Sequence, residues 1–159
     1  MHKKKHISCA VMIVLIVAFD QFTKYLAKTH LQNSAVVFIK NFVKFQYAEN
    51  TGMAFSMFSG ARWIFVVLTI IICAVGLWYL FSDRCADLWY YWSIAVIISG
   101  GIGNLIDRAL YGYVVDFIEP LFVDFAIFNI ADSAVTLGSA VLIVKMIVDI
   151  FRDKKDGKD

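Results

Sequence analysis

The stretch "WIFVVLTIIICAVGLWYLF", Trp63–Phe81, contains no charged residue. A helix that crosses a bilayer needs about 20 mostly apolar residues, and this run has that length and character. Three further windows satisfy the same condition: Ile7–Leu26, Leu88–Ile106 and Asn129–Phe151. In a chain of 159 residues that is 60% hydrophobic and 18% charged, such runs exceed what a soluble domain carries. The expected fold is an all-α integral membrane protein with four transmembrane helices, a single membrane domain over residues 1–159. The first window resembles a signal peptide, because "MHKKKH" precedes the apolar run Ile7–Phe19. No small-residue cleavage site follows, and "DQFTKYL" resumes an amphipathic helical pattern, so an uncleaved span is expected.

Basic residues near span ends set orientation. Lys3, Lys4 and Lys5 at the start, Arg84 between the second and third spans, and Arg152, Lys154, Lys155 and Lys158 at the end fall on one side of a four-span chain. That side is expected to be the cytoplasm, although Lys40, Lys44 and Arg62 on the other side reduce the bias. Residues 29–62 and 108–128 are then extracytoplasmic. Within the first, "SAVVFIKNFVKFQYAEN" mixes Val37, Ile39, Phe42 and Phe45 with Lys40 and Lys44 in partly alternating order, which predicts a small β-rich subdomain between helices 1 and 2.

Several functions are excluded early. A net charge of +2, with its basic residues gathered at the ends, offers no nucleic-acid surface. Cys9, Cys73 and Cys85 lack metal or disulfide spacing, and His2, His6 and His30 lie far from the Asp-rich region. Neither a His-based metal site nor a Ser/His dyad is available there.

Ionisable groups at bilayer depth cost at least about 2.5 to 3.5 kcal/mol at a helix centre, so the few present are informative. Asp20 and Lys24 are spaced i,i+4, fit to neutralise each other and anchor a helix end. In "SGGIGNLIDR", Gly100, Gly101 and Gly103 permit close approach of a helix or a ligand, and Asn104 and Arg108 share a face. Arg108 is read either as an interfacial anchor or as a donor fork for a carboxylate or phosphate. "ENTGMAFSMF" begins with a turn in which Asn50 offers an amide to a peptide. "FNIADS" sets Asn129 and Asp132 on one face of a helix start, where an Asp serves as a cap or, beside a second carboxylate, in catalysis. Two close carboxylates share a proton, which equips them to hydrolyse a peptide without a covalent intermediate. Rival readings are a proton-coupled transporter using Asp20, Asp107 and Asp132, and a non-catalytic membrane scaffold. A transporter needs carboxylates distributed through the bilayer, whereas these gather toward one face.

Taken together and in order, "DQFTKYL", "NTGMAFSMF", "GGIGNLIDR", "GYVVDFI" and "FNIADSAVTLG" resemble bacterial lipoprotein signal peptidase, or signal peptidase II. The resemblance covers Asp20 to Gly138. It implies a membrane aspartyl endopeptidase that removes the signal peptide from diacylglyceryl-modified prolipoproteins, cutting just before the lipidated cysteine. Residue by residue, it implies a catalytic dyad of Asp116 and Asp132, supporting polar positions at Asn50, Asn104, Arg108 and Asn129, and a first-span motif of Asp20 and Lys24. Gly100 and Gly101 are expected beside the lipid part of the substrate. The resemblance also implies no metal or other cofactor, a monomer in contact with membrane lipids, binding of globomycin-type lipopeptide inhibitors, and residence in the bacterial inner membrane with both termini cytoplasmic and the site toward the outer face. Two departures stand out: Ala126 occupies a position where the family commonly has proline, and the 117–128 loop is short and lacks Trp and Tyr. Asp124, in a second copy of Val-Asp-Phe, is expected to be a solvated loop residue.

Overall fold

The computed structural model describes residues 2–52, 62–82 and 84–155. It holds α1 (His2–His30), β1 (Val36–Ile39), β2 (Val43–Asn50), α2 (Arg62–Phe81), α3 (Leu88–Leu110), β3 (Val114–Pro120) and α4 (Ile130–Lys155). All four helices are long and apolar enough to cross a membrane. The expected architecture is present, with longer helices than the apolar windows because polar ends continue the backbone ladder. α1 extends past both ends of 7–26. α3 continues through Leu110, which makes Arg108 a helical residue rather than the first residue of a loop.

The central element is α3, which packs against α1, α2 and α4. The faces turned away from the bundle are apolar and exposed, as at Ile70, Ile71 and Ile72 on α2 and Val144 and Ile147 on α4. Lipid solvates such faces as well as a neighbouring helix would, so association depends on close backbone approach and on polar links. Gly100 provides the first: a Cβ there would overlap the Ala131 carbonyl and lie 2.8 Å from a Val135 methyl on α4. Gly100→Ala is therefore expected to force α4 off α3, destabilising the protein by about 1–3 kcal/mol. Thermal unfolding in detergent checks this.

The sheet corrects one expectation. It has three antiparallel strands in the order β1-β2-β3, and the third comes from the connection between α3 and α4, read from sequence as a loop over 108–128. Val114, Val115, Asp116 and Phe117 are all buried, so β3 lacks the solvated face that produces an alternating pattern. Pro120, which has no N–H to donate, is its last residue. At the opposite edge, Asn41 takes a left-handed φ of 60° in the β1–β2 turn, a conformation Asn tolerates better than most residues.

Beyond β3 the chain makes a short excursion and returns. Phe128 bridges Ile118, with Phe128 N–H donating to the Ile118 carbonyl at 3.0 Å and Ile118 N–H to the Phe128 carbonyl at 2.8 Å. This closure sets Asn129, at the entry to α4, beside Asp116 on β3. Asp124 is exposed in the excursion. The excursion docks on the β1–β2 turn through Phe122, whose ring stacks on Phe42 at 4.6 Å, and through the Leu121 N–H to the Phe42 carbonyl at 2.9 Å. Phe122 thus supplies an aromatic contact in a loop without Trp or Tyr.

Candidate active site

α4 begins with a reciprocal cap. The Asn129 side-chain oxygen accepts the Asp132 N–H at 2.8 Å, while Asp132 Oδ2 accepts the Asn129 N–H at 3.2 Å. Two of the helix's unpaired N–H groups are satisfied in this way, the logic of a capping box with Asn and Asp in place of Ser and Glu. Asp132 is therefore a capping residue, as a first-turn Asp usually is, and it leaves Oδ1 for other partners.

Asn129 also reaches the other carboxylate. Its Nδ2 donates to Asp116 Oδ1 at 2.7 Å and lies 3.1 Å from Asn104 Oδ1 and 3.3 Å from the Val115 carbonyl. Asn104 in turn donates from Nδ2 to Asp132 Oδ1 at 2.7 Å and accepts from Lys24 Nζ at 2.9 Å. One side-chain amide therefore contacts Asp116 and another contacts Asp132, and the two amides bond to each other. The ammonium and the Asn129 amide fix the orientation of Asn104, since its oxygen must face those donors and its NH2 must then face Asp132.

On the strand side, Asn50 Nδ2 donates to Asp116 Oδ2 at 3.0 Å while its Oδ1 accepts the Gly52 N–H at 3.0 Å. The Asn-Thr-Gly turn read from sequence thus holds an amide against Asp116 rather than leaving it free. Residues 53–61, the rest of that block, lie outside the described residues. Arg108 donates to the Gly52 carbonyl at 3.0 Å and its guanidinium lies 5.7 Å from the centre of the Phe65 ring.

Lys24 pairs with Asp20 at 2.8 Å, as its i,i+4 spacing predicts, and also with Asp107 at 3.1 Å. Neither Asp107 nor Gln21, whose amide spans the two carboxylates, was picked out by sequence as part of the site. The available signal was their spacing: Asp107 follows Asn104 by one helical turn, and Gln21 sits inside the Asp20–Lys24 pair. Gly100 and Gly101 are brought to α4 and to Cys73 and Thr69 of α2, not to the carboxylates. Among the described residues, no group of three or more His, Cys, Asp or Glu is placed to hold a metal ion.

Burial pushes the Asp116 carboxyl up to about 7, and the negative charge of Asp132 adds to the rise; the Asn50 and Asn129 donors offset part of it. Asp116 is 2% exposed. Catalysis that needs one proton on the pair should therefore weaken as pH rises above about 7, with kcat falling about tenfold per unit on the alkaline limb. Stability carries the same sign. An unfolded Asp titrates near about 3.9, so between there and the folded value the native state holds a proton the unfolded chain has lost, and stability falls as pH rises through that window. Thermal unfolding across pH 4 to 8 should show this slope, and Asp116→Asn should flatten it.

The family model described as Signal peptidase (SPase) II matches residues 12–148, most of the chain. The chain belongs to the signal peptidase II family. A lipoprotein signal peptidase of Streptococcus pyogenes serotype M5 (strain Manfredo) is 41% identical over 133 residues, 83% of this chain and 88% of that protein. The relative from serotype M3 (strain SSI-1) is 40% identical over the same shares. Two solved bacterial membrane enzymes, determined by the in meso method, share the fold. One gives a TM-score of 0.83 at 35% identity, covering 90% of this chain and 89% of that one, and the other 0.79 at 34%, covering 87% and 92%. As a signal peptidase II, the chain is a peptidase that cleaves signal peptides from prolipoproteins and a multi-pass protein of the bacterial membrane. The matched region contains every residue of the polar network from Asp20 to Asp132.

Proposed function

We propose that this signal peptidase II is an aspartyl endopeptidase that cuts diacylglyceryl-modified prolipoproteins immediately before the lipidated cysteine, with Asp116 and Asp132 as its dyad. The observation that carries this is the amide chain joining the two carboxylates, in which Asn129 bonds Asp116 and Asn104 bonds Asp132. Amide donors hold both groups in place while their mutual repulsion favours a single shared proton.

In the reaction, the ionised carboxylate takes a proton from a water molecule, which attacks the carbonyl carbon preceding the cysteine. The protonated carboxyl donates to the carbonyl oxygen as the C–O bond forms. Collapse of the tetrahedral adduct breaks the C–N bond, the proton first taken from water passes to the leaving amine, one hydroxyl of the adduct returns its proton to the carboxylate that had donated one, and a new carboxyl ends the signal peptide. Arg108 offers its donors to the peptide backbone beside the dyad, Asn50 and Asn129 hold Asp116, and Asn104 holds Asp132. The pair supplies both acid and base, so this chemistry calls for no metal or other cofactor.

The site faces the outer side of the bacterial inner membrane and both termini face the cytoplasm, a reading supported by Lys3, Lys4, Lys5 and Arg152 near the opposite end of the bundle. The working unit is a monomer, and lipopeptides of the globomycin type occupy the same site as the substrate. Purified protein in detergent, given a synthetic precursor with a diacylglyceryl cysteine, should release a peptide that ends at the residue before that cysteine, as read by mass spectrometry. Equal cleavage of the precursor without lipid, or a cut elsewhere, contradicts the reading.

A further inference from the structure

The cluster behind the dyad has a pattern that a simple anchoring ion pair does not need. Asp20 Oδ1 accepts the N–H of Ala131 at 2.8 Å, and Ala131 is the residue just before Asp132. Asp107 Oδ2 accepts the N–H of Val115 at 3.0 Å, and Val115 is the residue just before Asp116. Lys24 bridges these two carboxylates at 2.8 and 3.1 Å and gives its remaining contact, at 2.9 Å, to Asn104 Oδ1. Its three N–H donors meet three acceptors, which leaves the ammonium no freedom to turn. Gln21 doubles the bridge, with Nε2 at 3.2 Å from Asp20 Oδ2 and 3.0 Å from Asp107 Oδ1.

We propose that Asp20, Lys24 and Asp107 form a yoke that sets the separation of the two dyad aspartates, with Lys24 as the positioning residue at its centre. The proposal rests on Asp116 and Asp132 being the dyad and adds how their spacing is held. Each arm of the yoke grips the backbone one residue from a dyad side chain, one on β3 and one on α4, and α1 supplies the crosspiece. Asp20, Lys24 and Asp107 are 1%, 3% and 1% exposed, so their pairing is shielded from water. The backbone makes room for it: a Cβ at Gly103 would lie 2.6 Å from Asp20 Oδ2. The same yoke fixes the Asn104 amide, so the donor that Asp132 meets also depends on Lys24.

Loosening the yoke lets the carboxylates drift apart, which weakens their repulsion and brings their two titrations closer. Among the described residues, the charged groups that face the dyad and the cluster behind it are Lys24 and Asp20 from α1 and Asp107 and Arg108 from α3; Glu49 on β2 is exposed and engaged by the Tyr47 hydroxyl at 2.7 Å. Lys24→Met strands two buried carboxylates and risks loss of the fold, so the decisive variant is Asp20→Asn, which keeps the size and leaves the Lys24–Asp107 pair.

The experiment measures kcat, KM and the pH–rate profile of the full chain in detergent with a lipidated precursor, and thermal unfolding in the same buffer. Asp20→Asn should fold, lose about 10²-fold in kcat with little change in KM, and show acid and alkaline limbs closer together than in the unmodified chain. Unmoved limbs, with or without a lower Tm, overturn the yoke, and so does failure of Asp20→Asn to fold, which would assign the cluster to folding alone. The dyad is tested separately: an active Asp116→Asn removes the premise, whereas an inactive Asp116→Asn with unmoved limbs in Asp20→Asn removes only the yoke.

Discussion

Asp116→Asn is expected to lower kcat by about 10²- to 10⁴-fold while leaving the protein as stable as before or more so. Asparagine has the shape of aspartate, and an oxygen at Oδ1 still accepts from Asn129, as the carboxylate does at 2.7 Å; the hydrogen bond from Asn50 to Oδ2 is lost, and removal of the buried charge at pH 8 offsets that loss. What is lost is the proton that the pair exchanges with water and with the peptide. Asp116 is buried, and its carboxyl is pushed up to about 7 by that burial and by Asp132, so an ionised group there opposes folding at higher pH. Replacing it removes the opposition. Steady-state cleavage and thermal unfolding at pH 8, measured on the same preparation, should move in these different directions.

Asp132→Asn should abolish turnover to a similar degree but with a structural signature of its own. This carboxylate accepts from two groups at once, Asn104 Nδ2 at 2.7 Å on one oxygen and the Asn129 N–H at 3.2 Å on the other. An amide offers only one oxygen, so one donor is left facing an NH2. The variant also loses a negative charge in the first turn of α4, where the helix dipole favours it. A loss of about 1 kcal/mol from the cap is expected in addition to the catalytic loss. Asp116→Asn also leaves one donor, Asn129 or Asn50, facing an NH2, but it spares the cap and the charge at the start of α4, so the cap loss distinguishes the helix carboxylate from the strand carboxylate.

The parts of the fold that lipid dictates were legible in the sequence. An apolar run such as Trp63–Phe81 can satisfy its backbone only as a helix, and the four windows lie within or nearly within the four helices observed. The ends were less legible, because Arg108 continues α3 on hydrogen-bond continuity that hydropathy does not register. β3 was missed for a different reason. Its first four residues are buried on both faces, and the Val-Asp-Phe at its centre carries the same letters as the exposed copy at Asp124. Only the pairing of β3 with β2 and the return at Phe128 tell the two apart.

At the site, Asn50, Asn104, Arg108, Asn129, Asp116 and Asp132 were all named from motif blocks, and the structure gathers them into one network around the two carboxylates. The roles of Asp107 and Gln21 were not visible in the chain. Asp107 entered the sequence reading only as a relay carboxylate of the rival transporter, and its partner is Lys24, on a helix distant in sequence. A contact of that kind depends on how α1 packs against α3, which local spacing does not encode. Gly100 was legible as a site of close approach for a helix or a ligand, and the carbonyl of Ala131 lying against it shows that the neighbour is α4.

The central claim is that context, not the Val-Asp-Phe tripeptide, makes an aspartate catalytic here. The most direct test compares Asp116→Asn with Asp124→Asn for cleavage of a lipidated prolipoprotein by folded, purified protein. The predicted result is loss of turnover in the first and unchanged turnover in the second. Full activity in Asp116→Asn would contradict the account.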